Sequence, residues 1–520
     1  MIQARPYQTE AHDAVIEHWK KSTLPVLISA ATGSGKSVIV AMLAKTLHDL
    51  SGGKRVLCIA PSAELTQQNY EKYLAIGEKA STYSASISKS LRHQVIFATP
   101  LTFKKVARRL GGEFAGVIID ECHGITDSIK QIIEDMRQGA PTLRVCGLSA
   151  TPFRMKTGAI FGVDPDGKAM PETIAREPYF HQCVYAISAR MLLSMGYLTP
   201  LRAADINAES YDTSGLKVKA NGTFDPTSLK AAFEGWGRKT SAIIADVVAQ
   251  TQTATGVMIF AATVQHAKEV MASLHPDNAR LITGETPKTD RDKIIKDFKA
   301  RKFLYLVNVS VLSVGFDAEH VSHIAILRAT ESVSLLQQIM GRGMRLCEGK
   351  AECVVLDYAG NIDKHMPDGD LYAPQIKAAY QSSGGGVIEC LCEGCGRVNL
   401  FSARPNDSQY NVDEYGYFAD LDGERITVQN HKGEAVPMPA HFGRRCQHVH
   451  LRTGERCDYF WSCKVCPVCD HANDIAARFC SSCKHELVDP AGKLTELFKE
   501  HKKDPTRPQT DPVVSIDYVR

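Results

Sequence analysis

Long hydrophobic runs are missing from this chain of 520 residues. The longest, such as Val117-Ile118-Ile119, fall far short of the ~18 residues that a membrane span needs. The opening Met1-Ile2-Gln3-Ala4-Arg5-Pro6 leads into no apolar stretch of the signal-peptide kind. Both absences predict a cytoplasmic protein in a reducing compartment. A strong charge of either sign is missing too: 61 Lys and Arg against 58 Asp and Glu leave a formal +3, which excludes a tail-driven polycation but leaves room for a localised basic groove. No repeat of fixed period is present, which excludes a repeat array. What remains is an ordinary globular composition, 44% apolar and 23% charged, long enough for several domains. Cysteine alone is unusual. Ten of the 16 lie between Cys390 and Cys483, and in a reducing compartment such clustering predicts metal binding rather than disulfides.

Short β-branched runs alternate with helix-length amphipathic stretches up to about residue 360. Val26-Leu27-Ile28, Val56–Ile59, Val95–Phe97, Val117–Ile119 and Arg144–Leu148 read as parallel strands buried on both faces of a βαβ sheet. A second series follows in Val257–Phe260, Ala279–Ile282, Phe303–Val307, His323–Ile326 and Val354–Leu356. The expected fold class is therefore α/β, with two tandem parallel-sheet lobes, an inserted linker region and a C-terminal metal module. Residues 1–200 form the first lobe with an insertion from about 155, where Asp164-Pro165-Asp166-Gly167 signals a turn. Residues 201–240 are a linker or accessory segment, 241–360 the second lobe, 361–389 a linker containing Ser382-Ser-Gly-Gly-Gly386, 390–490 the cysteine module and 491–520 a tail.

The first strand runs into Ala30-Ala31-Thr32-Gly33-Ser34-Gly35-Lys36-Ser37 and then a helix. This is a phosphate-binding loop, although Ala30 stands where the first glycine is usual. Its glycines let backbone N–H groups converge on phosphates, Lys36 reaches the β and γ oxygens, and the Ser37 hydroxyl holds Mg²⁺. Further on, the strand ending at Ile119 delivers Asp120-Glu121-Cys122-His123. A carboxylate at that tip (Asp120) binds Mg²⁺, and its neighbour Glu121 orients or deprotonates the attacking water. Two acids after a strand usually mean a solvated turn; paired with Lys36 and Ser37 they mean nucleotide hydrolysis.

The order of motifs resembles that of superfamily-two helicases and translocases, in which two RecA-like lobes close on ATP. The matching pieces are Arg5-Pro6-Tyr7-Gln8, the loop to Ser37, Pro61-Ser62-Ala63-Glu64-Leu65, Ala98-Thr99-Pro100, Asp120–His123 and Ser149-Ala150-Thr151. The second lobe adds Ile259–Thr263, Val311–Asp317 and Gln338–Arg345. The resemblance implies adenine contact by Arg5 and Gln8, and arginine fingers at Arg342 and Arg345 beside Gln338, with the two guanidiniums on one helix face. It implies that Gly315 and Asp317 couple the nucleotide to the bound strand, that Ser149, Ala150 and Thr151 relay hydrolysis to movement with His123 as a further member, and that Ser62, Thr99 and Thr263 meet nucleic-acid phosphates.

Cys392-x2-Cys395 with Cys446-x10-Cys457, and Cys466-x2-Cys469 with Cys480-x2-Cys483, supply two sets of four thiolates at zinc-ribbon spacing. His441, His448 and His450 compete as ligands of the first set. Cys390 and Cys463 are left over, and Cys463 also forms a C-x2-C pair with Cys466 that would drop Cys469. Closed tetrahedral sites leave no open position for water, so both Zn²⁺ sites are expected to serve folding and contact rather than chemistry.

With Gly443-Arg444-Arg445-Cys446 and the terminal ribbon, residues 1 to about 490 resemble the RadD family of bacterial DNA-repair ATPases. That implies ATP and Mg²⁺ as cofactors, DNA-stimulated hydrolysis in double-strand-break repair or recombination in the bacterial cytosol or nucleoid, and contact with single-strand-binding protein or a recombinase. One departure is that the family pattern continues past the ribbon into another folded segment, whereas this sequence stops at Arg520, soon after Val513-Val-Ser-Ile516. An RNA helicase and an ATP-switched zinc-bearing adaptor remain alternatives, because these motifs contact nucleotide and backbone and do not separate sugars. Charge is divided unevenly: residues 361–520 hold 19 basic and 23 acidic groups, which leaves +7 on the two lobes.

Overall fold

The computed structural model describes residues 3–154, 158–170, 178–219, 223–311, 316, 318–366, 369–372, 387–404, 406, 409–420, 422–429, 435–449, 456–474 and 477–487. The expected 491–520 tail lies outside them. The chain divides after Leu198 into two compact units.

In the first unit, helix α1 (Pro6–Lys21) precedes strand β1 (Val26–Ala30) and helix α2 (Lys36–Leu50). Then come β2 (Arg55–Ile59), α3 (Ala63–Ala75), β3 (Ala80–Tyr83), β4 (Val95–Ala98), α4 (Pro100–Leu110), β5 (Phe114–Asp120), α5 (Asp127–Arg137) and β6 (Arg144–Ser149). A small hairpin of β7 (Phe153–Arg154) and β8 (Gly158–Ala159) is followed by β9 (Phe161–Val163), β10 (Phe180–Ile187) and α6 (Ala189–Ser194). Eight strands form one sheet in the order β3-β4-β2-β5-β6-β1-β10-β9, with parallel pairing throughout. The β1, β2, β4, β5 and β6 runs are almost wholly buried, as a sheet covered on both faces requires. One core lies between that sheet and its helices, with Phe103, Ile132, Met136, Val117 and Phe180 at its centre.

The insertion expected from about 155 is in part sheet. β10 pairs with β1 along its length, and β9 extends the edge. Phe180-His-Gln-Cys-Val-Tyr-Ala-Ile187 mixes polar and apolar residues, so it lacks the continuous apolar run that marks the other central strands. The polar edge strand β3 escapes the same pattern.

The second unit opens with β11 (Leu201–Ala203), α7 (Pro226–Phe233), α8 (Gly237–Gln250), β12 (Val257–Ala261) and α9 (Val264–Ala272). It continues through β13 (Ala279–Ile282), α10 (Lys288–Lys299), β14 (Tyr305–Asn308), β15 (His323–Leu327), α11 (Val333–Gly341), β16 (Cys353–Asp357) and α12 (Asn361–His365). The six strands are again parallel, in the order β11-β16-β15-β12-β14-β13. Residues 201–240, expected as a linker or accessory segment, contribute an edge strand and the helix α7, and Ile206, Tyr211 and Phe233 join the core of this sheet. A three-residue strand offers too little periodicity to read. The expected 361–389 linker likewise begins with α12. The cysteine module follows, opening with an antiparallel pair, β17 (Val387–Leu391) and β18 (Val398–Ser402), around a small core of Cys390, Phe401, Tyr417 and Trp461.

Candidate functional site

Parallel strands deliver their loops to one sheet edge, and in the first unit that edge collects the chemistry. The loop after β1 turns through Gly33 at φ +88 and Gly35 at φ +77, where any other L-residue is strained. A Cβ at either position would also lie 2.6 Å from a neighbour, Leu198 Cδ2 or Gln8 Nε2. Lys36 and Ser37 then open α2. The helix before the loop holds it in place: Tyr7 Oη donates to the Ser34 carbonyl at 2.6 Å and Gln8 Nε2 donates to the same oxygen at 2.9 Å. Gln8 Oε1 accepts from the Arg5 backbone N–H, and the Arg5 guanidinium lies 4.4 Å from the Tyr197 ring.

Across β6 from β1, the end of β5 supplies the carboxylates. Asp120 is buried and accepts from Asn69 Nδ2 at 2.8 Å and from the Glu121 N–H at 2.9 Å. Glu121 sits in the left-handed region at φ +49, an uncommon conformation for this residue and one that concentrates at functional sites. Its carboxylate lies 3.4 Å from Lys36 Nζ and 3.2 Å from His123 Nδ1. His123 Nδ1 is also 3.0 Å from Ser149 Oγ, which accepts the Thr151 N–H at 3.0 Å. Lys36, Glu121, His123, Ser149 and Thr151 are therefore one connected chain, with Ala150 in its loop.

Electrostatics separate the two acids. Burial and the adjacent Glu121 charge raise the Asp120 pKa. Burial acts in the same direction on Glu121, but the Lys36 ammonium and His123 outweigh it and hold that carboxyl down at about 2.

Asn69 has no counterpart in the motif reading. It lies on α3, two turns beyond Ser62, and a polar residue on a helix gives no signal that it will meet a strand tip 51 residues away. Asn69→Leu leaves a buried carboxylate one donor short, which costs about 1–3 kcal/mol. We expect the urea midpoint of the first unit to fall accordingly, and an unchanged midpoint would remove the bond from the account.

Ser62, Thr99 and Thr263 each stand between a parallel strand and a helix. Ser62 caps α3 by accepting the Leu65 N–H at 3.2 Å. Thr99 precedes Pro100 and donates to Thr102 Oγ1 at 3.1 Å. Thr263 caps α9 by accepting the His266 N–H and donates to Glu234 at 2.7 Å.

In the second unit, Gln338 lies on α11, but Arg342 and Arg345 lie beyond its end, so the two guanidiniums do not share a helix face. Just beyond the helix, Gly343 is pressed against Cys353, where an added Cβ would overlap the sulfur. Arg342 is buried and donates to the Phe316 carbonyl. Gly315 and Asp317 lie outside the described residues.

The cysteines gather as two fours. Within Cys392, Cys395, Cys446 and Cys457, and within Cys466, Cys469, Cys480 and Cys483, all sulfurs lie inside 4.8 Å of one another. The closest pairs are 3.6–3.7 Å apart. A zinc tetrahedron with ~2.3 Å bonds needs edges of about 3.8 Å, so both sets have the dimensions to accept zinc. Each set is braced alike: Asn399 Nδ2 points at Cys446 Sγ at 3.5 Å, and Asn473 Nδ2 at Cys480 Sγ at 3.6 Å. Each asparagine stands four residues after a C-x2-C pair and accepts the N–H of the residue after the third cysteine. Such outer-shell donors orient thiolate ligands. Cys390 and Cys463 fall outside both sets, and His441 stacks on Phe401 at 4.5 Å instead. His448 contributes a backbone N–H to Cys446 Sγ, and His450 lies outside the described residues.

Lysine and serine in a strand-to-helix loop, with a carboxylate pair on the same parallel sheet edge, define a phosphate-loop ATPase, here joined to a second RecA-like lobe. Residues 1–154 match the family model "Type III restriction enzyme, res subunit", and residues 239–347 match "Helicase conserved C-terminal domain". Both matches and the helicase relatives support a superfamily-two helicase or ATPase. It is similar to a Schizosaccharomyces pombe protein named as a mitochondrial ATP-dependent helicase, irc3, at 27% identity over 69% of this chain and 58% of that protein. It is also similar to the ATP-dependent DNA helicase uvsW of Enterobacteria phage T4, at 22% identity over 64% of each chain. The fold resembles a fragment assigned to the HsdR subunit of a type I restriction enzyme from Vibrio vulnificus, with TM-score 0.52 and 23% identity over 71% of this chain and 67% of that one. The chain spans 58% and 51% of the two yeast relatives it matches. Among the described residues, no helix is long and apolar enough to cross a membrane.

Proposed function

We propose that this chain is an ATP-driven motor that translocates on or remodels DNA, similar to the RadD family, in double-strand-break repair or recombination. The observation that carries this reading is the connected cluster of Lys36, Glu121, His123 and Ser149 beside Asp120 at one sheet edge. In it, Lys36 binds the β- and γ-phosphates, Ser37 and Asp120 hold Mg²⁺, and Arg5 and Gln8 set the adenine end next to the loop formed by residues Ala31 to Gly35. Mg²⁺ supplies charge that offsets the developing negative charge on the phosphates.

Phosphate competes with Glu121 for Lys36. As the ammonium turns to phosphate oxygens, Glu121 loses the cation that most lowers its pKa, its basicity rises, and it can orient and deprotonate the water that attacks the γ-phosphorus. His123 remains in contact with Glu121 and carries the change to Ser149, Ala150 and Thr151. Gln338, Arg342 and Arg345 are the proposed catalytic residues of the second lobe, with Gly315 and Asp317 as coupling residues. The caps at Ser62, Thr99 and Thr263 meet strand phosphates, which fix position without reading bases. The eight cluster cysteines hold two structural zinc ions. The domain reading keeps residues 390–490 as the zinc module, and single-strand-binding protein or a recombinase is its proposed protein partner.

Phosphate release measured with matched single-stranded DNA, duplex DNA, branched DNA and RNA tests the substrate. We expect single-stranded or branched DNA to stimulate most. Greater stimulation by RNA would make this an RNA helicase, and turnover with no displacement of a duplex or a protein block would make it an adaptor.

A further inference from the structure

Arg444 immediately precedes the Arg445-Cys446 step of the first cysteine set, yet its side chain leaves the module. It is 4% exposed, and its guanidinium pairs with Asp363 of α12 at 2.8 Å and with Asp474 of the second cysteine set at 3.0 Å, and donates to the Met366 carbonyl at 3.0 Å. One buried fork thus joins both cysteine sets to the short helix that follows β16. Two neighbours reinforce the junction: Arg456 bridges the Cys446 carbonyl (2.7 Å) and the Ile206 carbonyl (3.1 Å), and Arg445 lies 3.6 Å from Asp205.

α12 in turn holds the entry to α11. Asn361 Oδ1 accepts the Thr330 N–H at 2.8 Å, Asn361 Nδ2 donates to the Arg328 carbonyl at 2.8 Å, and His365 Nε2 lies 2.7 Å from the Thr330 carbonyl. Thr330 Oγ1 accepts the Ser332 N–H at 3.0 Å, and Ser332 Oγ accepts the Leu335 N–H at 3.2 Å as the cap of α11. α11 carries Gln338 and ends at Gly341, immediately before Arg342. The links from α12 to α11 are short hydrogen bonds, the link from Arg444 to α12 is an ion pair, and most of the groups are buried, where displaced polar groups are costly to leave unpaired.

We propose that Arg444 is a positioning residue for ATP turnover: the cysteine module is a fixed brace on the second lobe, acting through α12 on the start of α11. The inference rests on the reading of Gln338 and Arg342 as catalytic residues for ATP turnover. A loosened brace leaves phosphate binding by Lys36 intact and displaces only the second lobe's contribution to the transition state, so kcat falls while the KM for ATP stays near its original value.

The test compares the full-length wild type with Asp363→Asn, Arg444→Lys and Arg425→Met. Asp363→Asn keeps the shape of α12 and leaves Arg444 paired with Asp474, so it guards against a simple folding failure. Coupling of this kind is worth roughly two- to thirtyfold. We expect Asp363→Asn and Arg444→Lys to lower kcat by that factor with two zinc ions still bound, and to speed amide hydrogen exchange at Thr330, Leu335 and Ile362. Arg425→Met, whose partners Glu393 and Asp413 lie inside the cysteine module and away from α12, is expected to leave both unchanged. Wild-type kcat and wild-type exchange in Asp363→Asn and Arg444→Lys would overturn the proposal. The exchange measurement separates this outcome from failure of the ATPase reading, which would instead appear as absent turnover in the wild type.

Discussion

Glu121→Gln protein is expected to bind ATP with near wild-type affinity and to hydrolyse it 10²- to 10⁴-fold more slowly, the range of a lost general base. The amide keeps the size of the side chain and still hydrogen-bonds, but it cannot accept the proton of the attacking water. It also removes the anion between Lys36 and His123, so Lys36 is freer for phosphate and affinity does not suffer. Lys36→Ala should fail differently. It deletes the cation itself, so ATP binding weakens and the residual rate drops by a further 10²–10³ from lost charge stabilisation. Phosphate release under single-turnover conditions, alongside titration with a fluorescent ATP analogue, separates the two. Either variant hydrolysing ATP at the wild-type rate would sink the site assignment.

The second large effect concerns the thiolate clusters. Structural zinc contributes about 10–16 kcal/mol in small domains, comparable with or greater than the roughly 5–15 kcal/mol total stability of an ordinary domain. The purified chain should therefore carry two zinc ions by elemental analysis, and Cys446→Ser or Cys480→Ser should each retain one. The consequences should diverge. Cys446 neighbours Arg444 and Arg445, and its carbonyl accepts from Arg456, so its loss reaches α12 and the Asp205-Ile206 segment of the second lobe. Cys480 lies in the smaller ribbon, tied to the junction through Asp474. Limited proteolysis should thus open the second lobe in Cys446→Ser and clip mainly the ribbon in Cys480→Ser. Two zinc ions retained by either variant would refute the ligand sets.

The two-lobe architecture was legible because central strands of covered parallel sheets must be continuously apolar: Val26–Ile28, Val117–Ile119 and Val257–Phe260 declare themselves. β10 and β11 did not, since one mixes polar and apolar residues with neither a continuous apolar run nor a regular alternation and the other is three residues long. Site residues whose roles depend on local spacing, such as Lys36 in its loop or a C-x2-C pair, were equally readable. Those defined by a distant partner were not. Asn69 acts across 51 residues, Tyr7 across 27, and Asn399 across 47, and none belongs to a spacing pattern that names its partner. The close approach of Gly343 to Cys353, ten residues on, is likewise invisible to local pattern.

Steady-state phosphate release by the full chain, at saturating ATP and Mg²⁺ with single-stranded DNA titrated in, tests the motor most directly. A saturable rise above the DNA-free rate, absent in Lys36→Ala, is the expected result. A rate indistinguishable from the Lys36→Ala background at every DNA concentration would contradict it.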